Sequence, residues 1–314
     1  MKQMSLAQGG FAKYPKASRR AEFLAQMDRV VPWKELCELI EPHYPKAGRG
    51  RPPVGLERML RLHFLQHWYN LSDPALEEEL LESESMRRFV GIDLGHERVP
   101  DETTVCKFRH LLERHGLGER IFQRVGEHLR ERGFRLSAGT IVDATLISAP
   151  TSTKNRDRQR DPEMGTTKKG GQWLFGMKAH IGVDDKSKLI HTVKATPGNT
   201  ADAMMLRHLL HGRERRVWGD KAYFGLGRVI KEVAPRARDL TQLKNNVNRR
   251  LTPLDEVVNR IRSKTRAKVE HCFGVIKCIF GWRKLRYRGL AKNANRLMTS
   301  AALCNLYMVR HKLA

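Results

Sequence analysis

Thr140-Ile141-Val142-Asp143-Ala144-Thr145-Leu146-Ile147 is a run of β-branched and apolar residues with a single acid inside it. Such side chains suit the pleated, half-buried surface of a sheet, so the run predicts a core strand. An aspartate there is costly to bury unless it is paired or binds a metal, and Asp143 therefore needs a reason of its own. The run also marks a change of character along the chain. Before it the sequence reads as helices; after it, strands and helices mix. That contrast predicts a helical N-terminal domain at 1–135 and an α/β domain at 136–314.

In the first half, apolar residues recur at helical spacing over 22–40, broken at Pro32, and again over 56–68. Asn70-Leu71-Ser72-Asp73-Pro74 supplies a break, an N-cap and a first-turn proline for a helix at 76–90. Asp101 or Thr103 can cap the next, over 104–115, which Gly116 ends, and a fourth spans 119–132 up to Gly133. Short helices in succession fit a helix-turn-helix-like DNA-binding module and a plain helical bundle equally well. Residues 1–20 read as a mobile arm, and 41–53 as a stiff basic loop.

In the second half, 150–171 reads as a flexible basic loop, whose Lys154, Lys168 and Lys169 are candidates for phosphate contacts. Strands are expected at 173–183 and 188–196, joined by a turn in which Asp184 and Asp185 are ordinary turn residues. A helix at 202–210 follows, then a strand at 215–218 that leads straight into Asp220, a helix at 226–233 and a short strand at 239–243. The stretch 254–280 reads as one long helix. At about 3.6 residues per turn, Arg266, Glu270, Phe273 and Lys277 share a face of it. Between Lys244 and Arg296 there are 15 Lys and Arg against three acids, Asp255, Glu256 and Glu270. Helix stability does not favour that imbalance, whereas a polyanion does. Taken alone, Glu270 also fits a surface acid that offsets its neighbours. His180 and His271 invite a general-base role and Trp173, Trp218 and Trp282 a base-stacking one, but each residue type more often packs in a core or lies at the surface.

The whole chain carries 59 Lys and Arg against 34 Asp and Glu, a formal charge of +25 in 314 residues. Nucleic acid is the default partner for such a surplus. No apolar run is long enough to span a bilayer and no apolar signal core opens the chain, so a cytoplasmic location is expected. The cysteines, Cys37, Cys106, Cys272, Cys278 and Cys304, are scattered and make no C-x2-C pair. Reduced thiols are expected, with neither a disulfide framework nor a zinc site.

Three acids remain in suggestive places: Asp143 within a strand, Asp220 leaving another, and Glu270 on a later helix. Carboxylates that converge repel one another, and hard divalent cations resolve that repulsion. A two-metal phosphoryl-transfer site, its ions about 3.5–4 Å apart, would follow from such convergence.

These residues sit among longer strings that resemble the IS5 family of DDE transposases from bacterial insertion sequences. The strings are Ile40-Glu41-Pro42-His43-Tyr44-Pro45-Lys46-Ala47-Gly48, His67-Trp68-Tyr69-Asn70-Leu71-Ser72-Asp73, Val142-Asp143-Ala144-Thr145, Ser152-Thr153-Lys154-Asn155 and Phe175-Gly176-Met177-Lys178-Ala179-His180-Ile181-Gly182-Val183-Asp184. The resemblance implies an RNase H-like catalytic domain with Asp143, Asp220 and Glu270 as catalytic and metal-binding triad. It implies two Mg²⁺ ions, with Mn²⁺ able to replace them, and double-stranded DNA as partner, both as terminal inverted repeats and as target. It further implies strand cleavage, strand transfer by the freed 3′-hydroxyl, and a homodimer. The family's Arg-x3-Glu-x6-Lys pattern falls on Arg266, Glu270 and Lys277, implying DNA contacts for the two basic residues. Two departures stand out. Ser263 occupies a position often held by tyrosine, and Lys221-Ala222-Tyr223 follows Asp220 where Ala-Gly-Tyr is common. A DNA-binding regulator derived from a transposase, or a nuclease without strand transfer, would keep many of the same features.

Overall fold

The computed structural model describes residues 17–48, 52–246 and 250–313. Most of the expected N-terminal arm, and Arg49-Gly50-Arg51 of the basic loop, lie outside the described residues.

The first half is helical, as its periodicity predicts. Helices α1 (Arg19–Val30) and α2 (Trp33–Ile40) are separated at Pro32, and α3 (Leu56–Trp68) is buried over most of its length. The helix expected at 76–90 is two. The Ser83 hydroxyl accepts from the Met86 amide, so the residue that closes α4 (Asp73–Glu82) also caps α5 (Glu84–Val90). Ser72 caps α4 and Asp101 caps α6 (Glu102–Arg114), while α7 (Leu117–Glu131) follows the left-handed Gly116.

The second half is built around β1 (Gly139–Ser148), which contains the opening sequence. The further strands are β2 (Gly165–Lys169), β3 (Gln172–Asp184), β4 (Ile190–Pro197), β5 (Arg216–Trp218) and β6 (Arg238–Asp239). On one side β1 pairs antiparallel with β3, and on the other it pairs parallel with β5, which in turn pairs parallel with β6. The far edge of β3 is shared. β4 pairs with its second half, from Met177, and β2 with its first, up to Gly176. Gly176 must lack a side chain, because a Cβ there would collide with the Ile147 carbonyl on β1.

Two expectations need correction here. The supposed flexible loop at 150–171 contains β2, which turns into β3 through Gly170 and Gly171 at φ of 57° and 82°. Both φ values are positive, as a two-residue hairpin matching strand twist requires. The strand expected at 239–243 stops at Asp239, beyond which the amides of Leu240 and Gln242 still bond the Val217 and Gly219 carbonyls and side chains add to the hold. The Asn259 amide bonds the Leu243 backbone at 2.7 and 3.0 Å, and Gln242 donates to Ser263 at 2.6 Å.

Helices cover both faces of the sheet. Val142 and Val217 pack beneath α8 (Asp202–Leu209) and α9 (Gly227–Val233) in one cluster. Ile141, Ile147, Ala179 and Ile181 face the other way, into a core shared with Val269, Cys272, Phe273 and Ile276. That core continues into the helical half through α12 (Leu290–Leu313), which packs against α1, α7 and β4. Asn305 on α12 exchanges two 2.8 Å hydrogen bonds with the Ile190 backbone. The sequence reading does not single out α12, although Leu290, Ala294, Leu297, Ala301 and Cys304 recur at helical spacing.

The single helix expected at 254–280 is three segments. Helix α10 (Pro253–Arg266) ends in a tightened turn, where the amides of Lys268, Glu270 and His271 reach back only three residues. Helix α11 (Val269–Gly274) then widens into a π-helical turn, Val275–Ile279. The apolar residues of α10 are not core either: Leu254, Val257 and Ile261 are exposed, and the fully buried apolar residues of this stretch begin only at Val269.

Leu303, fully buried where α12 joins the two halves, gives the fold its simplest test. Leu303→Ala should destabilise the protein by about 2–5 kcal/mol, read as a lowered midpoint in chemical denaturation.

Candidate active site

Parallel pairing positions the first two acids. Ile141 on β1 lies opposite Trp218 on β5, and each chain runs two residues further to an aspartate. Asp143 and Asp220 therefore stand side by side at the carboxyl end of this strand pair, where neighbouring chains are about 4.8 Å apart. Asp143 is buried within β1, and its Oδ1 accepts from the Ala144 amide at 2.8 Å. Asp220 is partly exposed at the end of β5, where its Oδ1 accepts from the Ala222 amide at 2.9 Å and starts a short 3-10 turn.

The third acid arrives by way of a cation. Arg266, the last residue of α10, donates through Nη2 to Asp143 Oδ2 and lies 3.0 Å from Glu270 Oε1. The charges of Asp143, Glu270 and Asp220 all act on this guanidinium. The structure thus brings the three sequence-predicted acids to one place, with Arg266 between Asp143 and Glu270. Among the described residues the three do not each bring an oxygen within 4.8 Å of the other two. The tightened turn before Glu270 keeps it one turn from Arg266, and the π-helical turn behind it swings Lys277 towards β1. Widened turns of that kind recur at functional sites.

The basic residues divide into two groups. Lys277 is half-buried and donates to Thr145 Oγ1 and the Leu146 carbonyl, both at 2.6 Å, clamping its helix to the strand that carries Asp143. Loss of water, and then the positive charge of Lys169, hold its pKa below the usual lysine value. Lys154, Lys168 and Lys169 are exposed, and none forms an ion pair among the described residues. Lys268 was not singled out by sequence reading. It donates to the Asp185 carbonyl at 2.6 Å and anchors the turn just before Glu270; its neighbour Glu270 was the available signal. Asp184 accepts from the Lys186 and Ser187 amides within the β3–β4 turn, as a turn residue should, and also from the Ser137 amide just before β1.

A hard divalent cation fits this chemistry. The donors are carboxylate oxygens, one of them buried. The present guanidinium offsets only part of the negative charge gathered here. A different cluster, Glu35, His128 and Glu131, does bring its ligand atoms within 4.8 Å. Arg124 already fills it, however, pairing with Glu35 at 3.0 Å and Glu131 at 3.2 Å.

The chain matches the family described as "Transposase DDE domain" over residues 135–306, more than half its length. It belongs to the DDE transposase family. A second family, "Transposase domain (DUF772)", matches residues 13–111 in the helical half. Among solved structures the chain is similar to a piggyBac transposase in a synaptic complex with hairpin DNA. The likeness is 10% in sequence and 0.43 in TM-score, covering 92% of this chain and 73% of that one. The strand pattern, three antiparallel strands continued by two parallel ones in the order β4-β3-β1-β5-β6, is that of the RNase H-like catalytic domain of a DDE-type polynucleotidyl transferase. Transposases of this family use divalent metal ions. No described helix is long and apolar enough to cross a membrane.

Asp143 also carries a cost that can be measured. Burial, opposed by Arg266 and reinforced by Asp220, pushes its pKa up to about 6. Between about pH 4 and 6 the folded state therefore holds a proton that the unfolded chain has lost. Stability falls as pH rises through that window and levels off above it. Asp143→Asn removes the buried charge. Its melting temperature should exceed that of the parent protein at pH 8, with the difference narrowing between about pH 6 and 4 and approaching zero below that window, as read in paired thermal melts.

Proposed function

We propose that this DDE transposase binds the terminal inverted repeats of an insertion sequence of the IS5 family and performs Mg²⁺-dependent cleavage and strand transfer. The observation that carries the reading is the alignment of Asp143 and Asp220 on adjoining parallel strands, with Glu270 joined to Asp143 through Arg266. Asp143, Asp220 and Glu270 would hold two Mg²⁺ ions, which Mn²⁺ could replace; when bound, they supply charge for in-line displacement at phosphorus. The protein's own part is to fix the geometry. Parallel strands hold two carboxylates in register, while Lys277 and Lys268 hold the helix that bears the third.

Arg266 has the further task of neutralising Asp143 and Glu270 until a cation and a phosphodiester arrive. Released from them, its guanidinium and the nearby ammonium of Lys277 would pair with the phosphates of the bound strand. Lys154, Lys168 and Lys169 would meet the duplex further out. The helical half, 1–135, would read the repeats, and the α/β half, 136–314, would cut. The +25 charge supports a polyanionic partner of this kind. The homodimer expected for pairing two element ends belongs to the same reading, as does a cytoplasmic location.

The test is a cleavage and strand-transfer assay on DNA carrying the repeats that flank the gene. Asp143→Asn, Asp220→Asn and Glu270→Gln should each reduce cutting to background while duplex binding persists, and EDTA should do the same to the parent protein. Normal cutting by any of the three variants would remove that acid from the site. Binding without cutting by the parent protein, with Mg²⁺ or Mn²⁺ present, would leave a DNA-binding regulator instead.

A further inference from the structure

The β2–β3 hairpin projects past the end of β1, and its tip carries a side chain with no structural employment. Trp173 is 70% exposed, whereas Trp68, Trp218 and Trp282 are buried and Trp33 is partly so. Lys168, its cross-strand partner, lies 5.8 Å from the ring centre, and Lys169 adjoins the Gly170-Gly171 turn. Leaving an indole in water is unfavourable, and nothing within the fold requires it here.

Strand register shows which way this tip faces. Asp143 is opposite Ile181 on β3, and alternate residues back along that strand, Ala179, Met177, Phe175 and Trp173, share its face. Trp173 thus stands on the side of the sheet that carries Asp143 and Glu270. It lies eight positions from Ile181, at most about 27 Å away at about 3.4 Å per residue. That limit corresponds to at most about eight base pairs of duplex, given a rise of about 3.4 Å per pair.

The surrounding charge identifies the partner. The acids of the segment leading into the hairpin are already engaged by the chain itself. Asp157 pairs with Arg288, and Asp161 and Glu163 accept from the backbone amides of Gly289 and Leu290. Its basic residues, Lys154, Arg156, Arg158 and Arg160, are exposed, as are Lys168 and Lys169, and no acid pairs with any of them among the described residues. The segment is held in shape by its acids and offers its cations outward. A second copy of so basic a protein would meet that surface with repulsion.

We infer that the hairpin tip is an outrigger for duplex DNA. Trp173 lays its ring on the deoxyribose faces, and Lys168 and Lys169 grip neighbouring phosphates, within about eight base pairs of the scissile bond. This inference rests on the DNA-processing function proposed above. An indole flanked by ammonium groups suits a sugar-phosphate backbone, because it covers apolar sugar while the lysines release counterions.

Acrylamide quenching of tryptophan fluorescence tests it, since Trp173 is the most exposed of the five. With a 40-base-pair duplex bound, the readily quenched fraction should be protected, and Trp173→Phe should remove that fraction both with and without DNA. Lys168→Ala/Lys169→Ala should lower the slope of log affinity against log salt by about two. Trp173→Ala should weaken binding several-fold and leave the slope unchanged. If the duplex binds the parent protein while Trp173 remains fully quenchable, the outrigger is refuted and DNA binding stands. If no duplex binds at all, the function proposed above fails as well. Protection that grows with protein concentration in the absence of DNA would assign the hairpin to a second copy of the chain and overturn the inference.

Discussion

The parallel pairing of β1 with β5 is the constraint on which the site depends. It places two carboxylates, far apart in sequence, at matching positions on adjacent strands, one of them buried. Two negative charges at that spacing, one without water, are unstable unless a cation joins them. Much else in this half of the molecule answers that requirement. Helix α10 ends on Arg266, the chain tightens to keep Glu270 within reach of it, and Lys268 and Lys277 tie the helix to the sheet on either side.

Arg266 explains how the acids can gather within one fold. The guanidinium takes Asp143 and Glu270 together, so the folded chain is not left with bare facing charges. The arrangement is still costly: desolvation of Asp143 outweighs the attraction of Arg266, and its carboxyl stays above the usual range. A site that remains partly unsatisfied when empty is one that a divalent cation and a phosphate can occupy with a net gain.

The two halves of the chain share one buried core. Helix α12 packs against α1 and α7 of the helical half and against β4 of the sheet. The exposed apolar residues of α10, Leu254, Val257 and Ile261, lie outside this core. The basic segment after β1 is likewise outside it, yet is fastened to the entry of α12 by Asp161 and Glu163.

The sequence by itself determined the change from a helical to a mixed half, most of the elements in each, and which acids to examine. Asp143 was legible because a carboxylate amid β-branched residues contradicts its surroundings, and Asp220 and Glu270 because they matched a resemblance that the family comparison supports. Local chemistry is enough for such readings, since caps, turn residues and apolar periodicity act over a few neighbours. What only the tertiary structure decided arises from contacts between distant residues. The β2 strand forms because β3 offers an open edge, and the helix at 254–280 is cut into three because β1 and the β3–β4 turn pull on Lys277 and Lys268. The joining role of α12, the bridging position of Arg266 and the exposure of Trp173 likewise follow from what packs beside them, which no pattern along the chain encodes.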